Sequence, residues 1–127
     1  MVPKPKHALA REHLDRALRH IDDDDEQDAV SSLFYAAEAG LVAVADAQGI
    51  DTKKQHGAKA KAAAQLHADG VLDEDFSSLL RDLNQQRKDV WYEGEPVDFA
   101  DRSIEEVAAE VERLVVAAEE TAGDTAA

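Results

Sequence analysis

The sequence predicts an all-α fold, a helical bundle of four to five helices running mostly up and down. Three observations predict it. Good helix formers, alanine, leucine, glutamate and lysine, dominate the composition. Valine and isoleucine recur at helical intervals, not in the alternation of a strand. Glycines and short acidic clusters separate apolar stripes of helical length, and no linker is long enough to divide the 127 residues. One domain over 1–127 follows, with ends near 1–4 and 122–127 expected to fray.

The first helix is expected from Pro5 to Asp22, with Ala10, Leu14, Ala17, Leu18 and Ile21 on its apolar face. The acids Asp22 to Asp25 stop it and suit the positive N-terminal end of the next helix. The second helix, Asp25 to Gln48, carries Val30, Leu33, Phe34, Ala37, Leu41, Val44 and Ala45 on one side. Its remaining alanines allow close approach, so it reads as the central helix, with Gly49 as a C-terminal cap. The third, Lys54 to Ala68, is alanine-rich, basic at its start and ended by Gly70. The fourth, Asp75 to Tyr92, is introduced by Asp73, Glu74 and Asp75 and closed near Gly94 and Pro96. Ser103 and Glu106 form a capping box for the fifth, whose stripe is Ile104, Val107, Ala108, Val111, Leu114, Val115 and Ala118.

The formal charge is -14. An acid excess repels phosphate chains at long range, which argues mildly against nucleic acid as a partner. The charge is uneven, however. Lys4, Lys6, Arg11, Arg16 and Arg19 enrich the first twenty residues, and Lys53, Lys54, Lys59 and Lys61 cluster with His56 and without acids. Such a run is usually a solvated helix surface, yet a local positive patch can hold an anion. There is no cysteine, which excludes a disulfide scaffold, a thiolate metal site and a cysteine nucleophile. The start lacks a signal peptide's apolar core, and no apolar run approaches the roughly 20 residues of a membrane span. A soluble, cytoplasmic protein without a membrane association is expected.

Arg87 is the residue that most needs a reason. The stripe Phe76, Leu79, Leu80, Leu83 continues one turn onto Arg87 before Val90. A guanidinium cannot shed its charge and is costly to bury unpaired. It must snorkel from the core edge, pair with an acid, or face a cleft. Glu38, mid-helix among small and apolar residues, is the natural acid, and a Glu38–Arg87 pair is expected. With Lys88, Asp89, Trp91 and Tyr92 following, an arginine and a proton-active group one turn on can serve one cleft, the arginine stabilising phosphate or developing negative charge. Tyrosine, with an ordinary pKa of about 10, is a poor base there.

The histidines offer less. His13 and His20, seven apart, read as surface residues, His56 as a helix start able to help hold an anion, and His67 as a cation in a last turn. No metal-ligand spacing compels a zinc site, and neither a phosphate loop nor a nucleophile elbow is present.

Taken in order, SSLFYAAEAGLVAVADAQG, KKQHG, LHADGVLDEDF and LLRDLNQQRKDVWYEGEP resemble the HEPN (higher eukaryotes and prokaryotes nucleotide-binding) superfamily, in its small stand-alone prokaryotic branch. The matching pieces are Phe34–Tyr35–Ala36, His56–Gly57, and Arg87 through Trp91 and Tyr92, over about residues 8 to 120. The resemblance implies a homodimer with two copies of the arginine-bearing helix at a shared cleft. It implies binding of RNA or a nucleotide through Arg87, Lys88, Asp89, Glu38 and His56, with a cognate antitoxin or a nucleotidyltransferase as partner. Family members that are metal-independent ribonucleases use an arginine and, a few residues on, a histidine, without a cofactor. Carried over, Arg87 and Tyr92 are the catalytic positions, and tyrosine replaces the histidine. Three functions therefore stand as expectations: a dimeric binding or accessory module, a metal-independent endoribonuclease toxin, and a helical protein–protein interaction domain.

Overall fold

The protein is described here by a computed structural model covering residues 3–53 and 57–126. Five helices and no strand form among the described residues: α1 (Lys6–Asp22), α2 (Glu26–Ala47), α3 (Ala58–Ala68), α4 (Ser77–Glu93) and α5 (Ile104–Ala126). The all-α bundle read from the sequence is the fold. The boundaries follow local chemistry. α1 ends where Asp24 takes a left-handed conformation, φ 58°, which aspartate tolerates better than most residues. The amides of Asp24 and Asp25 then reach back to the carbonyls of Ile21 and His20, at 3.0 and 2.8 Å. Asp25 accepts from the amide of Asp28 at 3.3 Å and so caps α2. Gly49, φ 73°, repeats the left-handed stop after α2, and the amide of Ile50 closes it on the carbonyl of Ala45 at 2.9 Å. α5 opens on the expected capping box. The hydroxyl of Ser103 accepts from the amide of Glu106 at 3.1 Å, and the carboxylate of Glu106 accepts from the amide of Ser103 at 3.2 Å.

α2 is the centre of the bundle and packs against all four other helices. A three-residue turn folds α1 back along it, and α5 completes a three-helix layer with both. α3 and α4 pack on each other and on the remaining side of α2, and α4 barely meets α5. The core comprises Leu14 of α1, Leu33, Leu41 and Val44 of α2, Leu66 of α3, Leu79 and Leu83 of α4, and Val107, Val111, Leu114 and Val115 of α5. Leu18, expected on the apolar face of α1, is exposed instead. Gly40 lies so close to α5 that a Cβ there would stand 3.5 Å from Cγ of Leu114, an ordinary contact. The alanines of α2 expected to allow close approach, Ala29, Ala36, Ala37 and Ala45, are fully buried against the chain's own helices. Among the described residues α2 is the one helix long and apolar enough, by length and composition only, to cross a membrane. Its apolar residues are here the core of the bundle.

One terminus differs from expectation. α5 runs on to Ala126, through the tail expected to fray. α3 is described from Ala58, and its expected start at Lys54 lies outside the described residues.

Candidate anion-binding cleft

Helical spacing gathers one face of α4 around Arg87. Leu80, Arg81, Asn84, Arg87 and Lys88 line a cleft of about 470 Å³. Phe34, Tyr35 and Glu38 of α2 form its second wall, and Gly57, Ala58, Lys59 and Ala60 at the start of α3 form its third. α3 begins after Gly57, φ 82°, with no side-chain cap and no acid in its first turn. The amides of that turn have no partner within the helix, and they carry the positive end of the helix dipole towards the cleft.

Arg87 itself is half-buried. Its Nη2 donates to Oδ1 of Asn84 at 2.9 Å, and its guanidinium carbon stands 4.8 Å from the centre of the Phe34 ring. Its Nε is buried without a hydrogen-bond partner. The other two half-buried arginines among the described residues are treated differently. Arg11 binds Glu119 through both Nε and Nη2, at 3.0 and 2.6 Å, and the hydrogen bond to Glu119 raises its pKa while lowering that of the carboxyl. Arg102 pairs with Glu110 at 2.5 Å and Asp82 at 3.4 Å. In a chain with twice as many acids as bases, Arg87 has an amide and an aromatic face in place of a carboxylate.

The expected Glu38–Arg87 ion pair does not form. Glu38 lies one turn beyond Phe34 and reaches α3, where its carboxylate is 3.0 Å from Nζ of Lys59. Phe34 takes the place opposite Arg87. Both partners of the expected pair still line the same cleft, as does Lys88. Asp89 points elsewhere, accepting from the side-chain amide of Gln85 at 2.8 Å, and it does not line the cleft. Nor does Tyr92. Five residues past Arg87 is well over a third of a turn around the helix, and Tyr92 emerges 72 % exposed. Arg87 and Tyr92 are therefore not brought together within the chain. Trp91, 51 % exposed, donates its indole N–H to the hydroxyl of Ser31 at 2.6 Å. His56 lies outside the described residues.

Four contributors went unread in the sequence: Asn84, Arg81, Lys59 as the partner of Glu38, and Phe34 as the platform for Arg87. The i, i+3 spacing of Asn84 and Arg87 was the available signal. His13, read as a surface residue, is half-buried beside Tyr35, with ring centroids 5.7 Å apart. Its Nδ1 has no partner, and burial, with the charge of Arg16 adding, lowers its pKa. His67 donates from Nδ1 to the carbonyl of Leu72 at 3.1 Å. At the α1–α2 turn, His20, Asp25 and Asp28 bring ligand-type atoms within 4.8 Å of one another. Asp25 is already the cap of α2 through the Asp28 amide, and a separate hydrogen bond between the two carboxyl groups raises the pKa of Asp28.

Comparison with protein-family models, with curated proteins and with solved structures found no match. The fold and the site define a class: an all-α bundle with a cationic cleft built from the middle of α2, the start of α3 and one face of α4.

Proposed function

We propose that the protein is a nucleotide- or RNA-binding module of HEPN-like type, acting as a homodimer beside a cognate antitoxin or nucleotidyltransferase, and that it holds phosphate in the Arg87 cleft. One observation carries the reading. Arg87 is the half-buried arginine without a carboxylate, braced by Asn84 and Phe34 at the wall of an open cleft. A guanidinium held in this way keeps its remaining donors for an anion. Arg81 and Lys88 of α4 and the first turn of α3 add positive potential, Lys59 being paired with Glu38, and helix starts are receptive to phosphate. Binding is favoured over cleavage because Tyr92 stands off the cleft and no histidine among the described residues lines it. Exposed Trp91 and Tyr92 at the end of α4 are the apolar surface available to a second copy.

The test is titration of adenylate and of a labelled RNA oligonucleotide at low salt, where phosphate contacts are strongest. Arg87→Ala is expected to weaken both at least tenfold, and Asn84→Ala less, because it loosens the guanidinium without removing it. RNA left intact without metal, at protein concentrations that saturate it, marks a binder. No affinity for either probe at low salt would end the reading. Sedimentation at micromolar concentration checks the dimer, and a monomer there removes that part of it.

A further inference from the structure

The Arg87 cleft does not end at Tyr35. Beyond that residue lies a second cavity, of about 230 Å³, reached by Lys6 and His13 of α1 and by Lys53. The two cavities share Tyr35, Glu38, Thr52 and Lys59, so they form one groove crossing α2. Planar groups run along its floor. Arg87 lies over Phe34; Phe34 meets Tyr35 edge-on, with centroids 5.5 Å apart at 60°; and Tyr35 meets His13 at 5.7 Å and 44°. The ring of Tyr35, at 43 % exposed, is the most open aromatic surface in this row.

Cations stand at both ends. Arg81, Arg87 and Lys88 flank the first cavity, Lys6 and Lys53 flank the second, and Lys59 serves both. Two carboxylates also face the groove. Glu38 is neutralised by Lys59, and Asp46 lies at the far side of the second cavity. The buried Nδ1 of His13 has no partner in the fold. A lone phosphate needs only one end of this arrangement. Aromatic faces between two cationic ends suit a chain that alternates planar bases with phosphates.

We propose that the groove binds single-stranded RNA across at least two nucleotides, with the first phosphate at Arg87 and the base of the following nucleotide stacked on Tyr35. The assignment rests on the phosphate-binding reading of the Arg87 cleft and extends it across α2.

Calorimetric titration at low salt with inorganic phosphate, adenylate and the dinucleotide pApA tests it, using the full chain and its Tyr35→Ala, Tyr35→Phe and Arg87→Ala variants. The dinucleotide is expected to bind about tenfold more tightly than adenylate, the usual scale for one stacked base. Tyr35→Ala removes that gain, while Tyr35→Phe keeps it. On the unaltered chain, a photoactivated thiouridine tetranucleotide crosslinks to the peptide containing Tyr35, a readout independent of any variant's folding. Equal affinity for adenylate and pApA, a gain that survives Tyr35→Ala, or a crosslink confined to other peptides overturns the extension and leaves the Arg87 site standing. If phosphate and adenylate fail to bind, or bind unchanged to Arg87→Ala, the phosphate reading itself falls and the groove falls with it.

Discussion

Arg87 and His13 show how much one side chain's neighbours decide. The sequence placed Arg87 on an apolar stripe and so marked it as unusual. It could not say what lay opposite, because that depends on how α2 and α4 cross. The crossing puts Phe34, not Glu38, against the guanidinium. His13 was misread for the same reason: on α1 alone it looks solvated, but Tyr35 of α2 packs beside it. Its lowered pKa has a consequence for stability. Burial disfavours the imidazolium in the fold, so as pH falls the unfolded chain takes up the proton first. His13 therefore costs nothing well above the ordinary histidine value of about 6.5. Below that value it drains stability until the folded ring also protonates. Glu119 works in a separate window. Arg11 depresses its pKa, so its contribution is present above the ordinary carboxylate value and lost as pH falls beneath it. Urea midpoints at closely spaced pH values from about 7.5 to 5.5 should fall in the wild type, and His13→Gln should flatten that part of the curve. Parallel curves for the two proteins would mean that His13 has no depressed titration.

Helix boundaries were the most legible feature, because their signals are local. Gly49, Gly70 and Gly94 occupy left-handed positions where the sequence stopped its helices, and the Ser103–Glu106 box closes as its spacing requires. The Ser103 hydroxyl satisfies one amide that α5 cannot satisfy itself. Ser103→Ala should therefore cost about 1 kcal/mol and lower Tm by about 4 °C. Glu106→Gln, which keeps an acceptor for the Ser103 amide, should change Tm by much less. An unchanged Tm for Ser103→Ala would show that packing of Ile104 and Val107 alone fixes the start of α5. The candidate site was less legible because it belongs to no single element. Its walls come from three helices, and the α3 wall adds to Lys59 the first-turn amides, which no residue type advertises. The separation of Tyr92 from Arg87 within the chain is a matter of helical phase: one turn on from Arg87 is Val90 or Trp91, and the fifth residue already faces away.

At the scale of the whole molecule, two electrostatic demands oppose each other. A net charge of -14 on one small bundle repels itself and repels RNA at long range. The cleft gathers Arg81, Arg87, Lys88 and Lys59, of which only Lys59 has an acid partner among the described residues. Salt acts on the two in opposite directions. Raising ionic strength from about 0.01 M to 0.15 M shortens the screening length from about 30 Å to about 8 Å, which is below the span of the bundle. Repulsion among distant acids fades, so Tm should rise over this range. Phosphate contacts instead compete with counterions, at a slope of about -0.7 per contact for a single strand. Three direct contacts, from Arg81, Arg87 and Lys88, predict a log–log slope of binding constant against salt near -2, made shallower by the fading long-range repulsion. Arg87→Ala should remove about a third of the slope along with much of the affinity. The same salt series, read once by thermal melting and once by RNA anisotropy, measures both responses. An affinity that climbs with salt alongside Tm would mean that the bundle's overall charge governs the encounter and that no phosphate is held in the cleft.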